Sequence, residues 1–179
     1  MSSPNLSKYS KTAIALHWLI AILVITNVVL VSMAADLPRE AKGLYMTPHK
    51  AIGISILSLS LLRLLWRLSH QPPPMPDAVP RWQAKLGRTV HALFYFLIIA
   101  VPFTGWLMVS AHPGAPPVDY FGLFTVDLPV GESKALSDFG HEGHEILTKP
   151  LVILIFLHVI GALKHQFIDR LPFIQRMFP

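Results

Sequence analysis

A chain of 179 residues that is 53% hydrophobic and only 14% charged, with mean hydropathy +0.51, is too apolar for a soluble domain, in which about a quarter of the residues carry charge. The absence of cysteine excludes disulfides, iron–sulfur clusters, thiolate zinc sites and covalent haem attachment through C-x-x-C-H. The net charge of +5 is scattered singly around apolar segments, so it orients the chain in a membrane and does not bind nucleic acid.

Thr12 to Ala35 holds no charged residue for 24 positions, enough to cross a bilayer and too long for a signal-peptide core. A first helix is expected over about 12–35. Asp36 to Thr47 reads as a polar loop, and Pro48 as a first-turn residue of a second helix over about 48–68. Its uncharged part, Ala51 to Leu62, is short, but Lys50, Arg63 and Arg67 can snorkel toward opposite interfaces and lengthen the span. The stretch SHQPPPMPDAVP then bars helix and forms a stiff connector. A third helix is expected over about 85–111, carrying Pro102 and Gly105. Residues 112–140 read as a longer acidic loop, and a fourth helix over about 141–169 carries Pro150. The expected fold is one all-α integral membrane domain, 1–179, built as a four-transmembrane-helix bundle.

Lys and Arg flanking the spans set the orientation. Ten lie at the amino end, in the proline connector and at the carboxyl end. Five lie on the other side, with eight of the ten carboxylates. Both termini are therefore expected in the cytoplasm.

His144 and His158 are fourteen residues apart, about 21 Å along a helix and about 40° from the same bearing. Two imidazoles thus look out of one helix at two depths. Ionisable groups at such depth are expensive and read as functional. By depth they pair as His17 with His158 and His49 with His144, two candidate bis-histidine sites for two haem irons. Each histidine could instead bridge helices by a hydrogen bond, and histidine-rich spans can also pass metal ions or protons, although the apolar stretches of these spans hold no carboxylate. Gly53, four residues after His49, either makes room for a porphyrin or serves close helix packing. Arg63 and Arg67 either pair with haem propionates or anchor the interface. His91 and His165, both expected near the cytoplasmic surface, are candidates for relaying protons to a quinone.

His17-Trp18, His49 with Gly53, Arg63 with Arg67, the prolines from Pro72 to Pro80, Pro102 with Gly105, and His144 with His158 occur in this order along the whole chain. Together they resemble the bacterial cytochrome b561 family. The resemblance implies a di-haem b protein of the bacterial inner membrane, with His17, His49, His144 and His158 as axial ligands. It also implies electron transfer from superoxide at the periplasmic side to ubiquinone in the membrane, with His91 and His165 at the quinone end. The outer carboxylates outnumber the outer cations, so any steering of an anionic donor falls to local charge at Lys50 and Lys149. Two other roles stay open at this stage. One is a cytochrome b subunit that relays or anchors electrons for a dehydrogenase or hydrogenase partner, and the other is a haem-free metal or proton transporter. Oligomeric state is not legible in the sequence.

Overall fold

The computed structural model describes residues 7–76 and 79–178. Four long helices, α1 Lys11–Ala34, α2 Arg39–Ser69, α3 Arg81–Ser110 and α4 Lys134–Leu163, run up and down as a bundle. All four are long and apolar enough to cross a membrane. Their outer faces are studded with exposed Ile22, Ile25, Leu65, Phe96, Phe156 and Ile160, as lipid-facing surfaces are.

Local chemistry sets the helix ends. Ser10 caps α1 by accepting from the Ala13 amide at 3.3 Å, and Ser133 caps α4 by accepting from Leu136 at 3.4 Å. α2 begins at Arg39 and not at 48, because the Pro38 carbonyl accepts the Ala41 and Lys42 amides and starts the helix there. Pro48 then lies inside α2, where its missing N–H costs the Leu44 carbonyl its partner without ending the helix. Likewise α4 begins at Lys134 and takes in residues that the sequence reading left in the loop. Gly140 is needed there, since a Cβ would lie 2.6 Å from the Met108 amide nitrogen of α3.

Between α3 and α4 stands a small antiparallel hairpin, β1 Val118–Tyr120 and β2 Phe124–Val126, in the register Val118 to Val126 and Tyr120 to Phe124. Its turn uses Phe121 and Gly122 at positive φ, and the Asp119 carboxylate accepts the Gly122 amide. After α4 the helix widens into a π-helical turn, Lys164–Ile168, and a 3-10 turn follows at Ile174–Met177. The chain ends meet: the Tyr9 amide donates to the Arg176 carbonyl at 3.2 Å. One end of the bundle is thus the terminal end and the other the hairpin end.

Packing is uneven. The closely packed helix pairs are α1 with α2, α2 with α3, and α3 with α4. One core joins Ile20 and Val24 to Ile52 and Ile56, a second joins Leu97 and Val101 to Leu151 and Leu154, and Ile155 touches both. Neither α1 with α4 nor α2 with α4 is among the closely packed pairs.

Candidate functional site

The histidines meet in the two loosely packed seams. His17 of α1 and His158 of α4 have ring centroids 6.3 Å apart at an interplanar angle of 70°. His49 of α2 and His144 of α4 stand 6.1 Å apart at 88°. The pairs lie at two levels, since α4 rises about 21 Å between its two histidines. The first pair is nearer the terminal end, the second nearer the hairpin. No hydrogen bond joins either pair. Two imidazoles on opposite sides of one metal ion, with metal–nitrogen bonds of about 2 Å, have centroids about 6 Å apart, so each gap has room for one iron.

The surroundings of the hairpin-end pair suit that use. His144 Nδ1 lies 2.8 Å from the Val101 carbonyl. A carbonyl only accepts, so Nδ1 carries the proton and Nε2 keeps its lone pair. A Cβ at Gly105 would come within 2.9 Å of the same ring, and the glycine is what leaves it space. His49 Nδ1 is buried without a hydrogen-bond partner. A Cβ at Gly53 would meet nothing within 4 Å although the residue is half-buried, which is open space of the kind a flat macrocycle fills. His49, Gly53, Ile56, Ser60, Arg63 and Arg67 follow at alternating spacings of four and three, one inward stripe of α2 linking the two levels. Ser60 on that stripe is fully buried with its hydroxyl unpartnered.

At the terminal end a third histidine joins the pair: His91 of α3 lies 6.1 Å from His158 by centroids, and Phe94 packs edge-on against His158 at 5.3 Å. The Arg63 guanidinium is within electrostatic reach of His17, His91 and His158, and Arg67 of His91. Arg63 Nε donates a long hydrogen bond of 3.4 Å to the Tyr95 hydroxyl. His17 packs against Trp18 at 5.3 Å, and Trp18 Nε1 donates to the Met177 carbonyl at 2.7 Å, which ties the carboxyl-terminal tail to this level.

His165 is not brought to the cluster. The π-helical turn carries it toward Asp169, whose carboxylate lies 2.7 Å from His165 Nδ1 and 2.6 Å from Lys164 Nζ. The Lys164 hydrogen bond, with a smaller one from His165, holds the Asp169 carboxyl below its usual range.

At the hairpin end, Lys50 is exposed beside His49, while Lys149 is exposed and paired with Glu145 at 3.0 Å. Ser55 Oγ donates to the Ala51 carbonyl, so the Tyr120 hydroxyl donates to Ser55 at 2.9 Å and fastens the hairpin to α2. Tyr95 and Tyr120 were not singled out in the sequence. Tyr95 sits one helical turn after His91, which is a usable signal; Tyr120 carries none, because its partner is set by the hairpin.

Among the described residues, no cluster of three or more His, Cys, Asp or Glu side chains can hold a bare metal ion. A pair of histidines supplies two ligands, which fits an iron whose other four come from a macrocycle.

The profile of the prokaryotic cytochrome b561 family matches residues 8–179. The chain is 33% identical over 175 residues to cytochrome b561 homolog 2 of Escherichia coli strain K12, covering 95% of this chain and 90% of that protein. It is 29% identical over 174 residues to a probable superoxide oxidase, CybB, of Yersinia pestis, covering 96% of each. Cytochrome b561 homolog 1 of Escherichia coli strain K12 matches at 25% over 176 residues, with 97% and 98% covered.

Proposed function

The chain belongs to the prokaryotic cytochrome b561 family, and from that premise we propose that it carries electrons from superoxide at the periplasmic face to ubiquinone in the bacterial inner membrane. It is a multi-pass membrane protein of a haem b electron-transfer family. Two inward-facing histidine pairs at two levels, 6.3 and 6.1 Å apart by centroids, support an electron path along the bundle, and the likeness to a probable superoxide oxidase supports superoxide as donor.

His17 with His158 and His49 with His144 would each hold one haem b, and the free ring nitrogen of His144, the orphaned His49 Nδ1 and the space at Gly53 fit such a group. When bound, two haems supply one-electron carriers that divide the width of an insulating layer. Two superoxide anions lose one electron each and leave as dioxygen; one ubiquinone gains two electrons and two protons. Arg63 and Arg67, on the interior stripe of α2, would offer cations to the propionates of a bound haem. His91, half-buried beside His158, serves the quinone end as a proton donor, while His165 stands apart from that cluster, paired with Asp169 near the surface. On the periplasmic side, Lys149 is neutralised by Glu145, which leaves Lys50 the better placed cation for an anionic donor.

A stopped-flow assay of superoxide decay, with and without a ubiquinone analogue, tests the proposal. Quinone-dependent decay faster than spontaneous dismutation is expected; no acceleration would remove superoxide as donor and leave the cytochrome.

One observation favours a second reading, a cytochrome b subunit serving a periplasmic redox protein. The hairpin tip exposes Phe121, Leu123 and Phe124 at 52%, 76% and 55%, an apolar surface at the electron-entry end. A stoichiometric redox partner recovered with the protein from mild detergent would favour this reading over the first.

A further inference from the structure

The hairpin of β1 and β2 does not stand up from the end of the bundle but folds back along it. Its base is held at the end of α3, where the Leu128 amide donates to Ser110 Oγ at 3.1 Å. Its tip is held on α2, where the Tyr120 hydroxyl meets Ser55 Oγ at 2.9 Å. The hydrogen bond between Arg63 and Tyr95 marks one level common to α2 and α3. Ser110 stands fifteen residues past Tyr95, about 22 Å from that level, and Ser55 stands eight residues before Arg63, about 12 Å from it. The tip therefore reaches about 10 Å back toward the middle of the bundle. Ser55 is also five residues, about 8 Å, inside Lys50, the last charged residue before the uncharged run of α2.

The side of α2 that the hairpin covers is the side turned to lipid. Ala51, Ser58, Leu62 and Leu65 share one helix face by their spacing of seven, four and three. The last three are exposed, whereas Ala51, one turn before Ser55, is buried where β1 packs against α2. The hairpin itself is two-faced. Its register sets Val118, Tyr120, Phe124 and Val126 on one side, and Asp119 with Thr125 on the other. Phe124 stacks on Tyr120 at 4.8 Å, and Phe121, Leu123 and Phe124 are exposed around the tip. The turn amides have partners within the hairpin: Gly122 donates to the Asp119 carboxylate at 3.0 Å and Leu123 to the Tyr120 carbonyl at 3.1 Å. A turn satisfied in this way tolerates a place poor in water.

We infer that the hairpin tip is a membrane anchor, with Phe121, Leu123 and Phe124 entering the lipid leaflet at this end of the bundle. The depth of Ser55 and the lipid-facing side of α2 carry the inference. A protein arriving from water would have to pass the level of Lys50 along a helix face whose other members lie in lipid. Aromatic side chains at the boundary of headgroups and acyl chains are the usual anchors of a membrane protein, and Asp119 and Thr125 on the opposite face stay with the headgroups. The inference needs only that the four helices cross a membrane, and is independent of the donor, the acceptor and the haems.

The chain contains no cysteine, so a single introduced thiol carries a nitroxide label without competition. Phe121→Cys and Leu123→Cys place it at the tip, Leu62→Cys on the exposed lipid face of α2, and Asp36→Cys in the loop between α1 and α2. Each labelled full-length protein is reconstituted into phosphatidylcholine vesicles, and power-saturation EPR reads its collisions with dissolved oxygen, which concentrates in lipid, and with nickel ethylenediamine diacetate, which stays in water. The oxygen-to-nickel ratio at 121 and 123 should exceed that at 36 several-fold and approach that at 62. A ratio at both tip positions equal to that at 36 would overturn the inference and leave the tip to the periplasmic redox protein of the second reading. Phe124→Cys takes the place of either tip variant that loses the wild-type visible spectrum.

Discussion

The imidazole of His144 occupies the space that a side chain at Gly105 would enter: a Cβ there would stand 2.9 Å from Nδ1 and 3.0 Å from Cε1. The same Nδ1 gives its proton to the Val101 carbonyl, so one helical turn of α3 fixes both the position and the tautomer of the ring. Gly105→Ala should push the ring off this carbonyl. Loss of such a supporting hydrogen bond typically weakens a metal site by about tenfold or more. Haem content and a redox titration should show one haem weakened or shifted in potential and the other unchanged.

Gly140 poses a harder constraint. A Cβ there would meet the Met108 amide nitrogen at 2.6 Å and the Thr104 carbonyl at 2.8 Å, and backbone cannot rotate away. Gly140→Ala should force α3 and α4 apart at a cost of about 3 kcal/mol or more, read as a lower unfolding midpoint and a poor folded yield. Gly143→Ala is the control. Its Cβ would meet only the Thr104 methyl at 3.1 Å, and a smaller loss is expected.

The histidine pairing predicts haem stoichiometry. The wild-type protein should carry two haems per chain by the pyridine haemochrome assay. Each of His17→Ala, His49→Ala, His144→Ala and His158→Ala should carry one. His91→Ala should keep two, although its ring stands as close to His158 as a ligand partner would. Loss of a haem in the His91 variant would make His91 a ligand and displace His17. A preparation that stays colourless after haem-supplemented expression would overturn the pairing altogether.

Hydropathy exposed the first, third and fourth spans, since 24 uncharged positions from Thr12 or the apolar run after Pro150 have few other uses, while the second span needed Lys50, Arg63 and Arg67 to snorkel. The depth argument also named the histidines that the bundle brings face to face. The start of α2 was hidden because Pro48 carries the signal of a first turn, and only the environment tells a first turn from a tolerated interior proline. His165 was misaligned for a related reason. An unbroken α-helix would keep His165 near the bearing of His158, and the π-helical turn at Lys164–Ile168 changes that bearing. Tyr120 owes its role to Ser55, 65 residues away, and no local pattern encodes that distance, whereas Tyr95, bonded to Arg63 32 residues away, at least stands one helical turn after His91.

Arg176 joins three parts of the terminal end. It is 3% exposed, Nε donates to the Ser7 carbonyl at 3.0 Å, and Nη2 donates to the Pro74 carbonyl at 2.9 Å. The side chain also lies 5.7 Å from the Tyr9 ring and 5.9 Å from the Phe173 ring. Arg176→Met should cost about 2 kcal/mol for two charge-assisted hydrogen bonds and make the tail after Asp169 sensitive to protease. Arg176→Lys should not restore it, because one ammonium lacks the fork that spans both carbonyls.

The Asp169 clasp gives a pH dependence with a definite sign. Its carboxyl is held below the usual range, chiefly by Lys164. A depressed acid contributes stability that is present above its unfolded pKa of about 4 and lost as pH falls through its lower folded value. The Asp169 and Leu171 amides, which donate to the Lys164 and His165 carbonyls at 3.0 and 2.8 Å, report it. Their hydrogen-exchange protection should hold from neutrality to about pH 5 and fall below about pH 4. In Asp169→Asn it should already be low at neutral pH.

The division of the apolar interior into two cores that share only Ile155 bears on how the protein is made. Each core belongs to one helical hairpin, α1 with α2 and α3 with α4, and each hairpin can enter the bilayer as a finished unit. The two hairpins are joined chiefly through α2 and α3, and the histidine pairs sit on the looser seams that α4 makes with α1 and α2. A group held between the histidine pairs would then act as mortar in the seams that α4 leaves open.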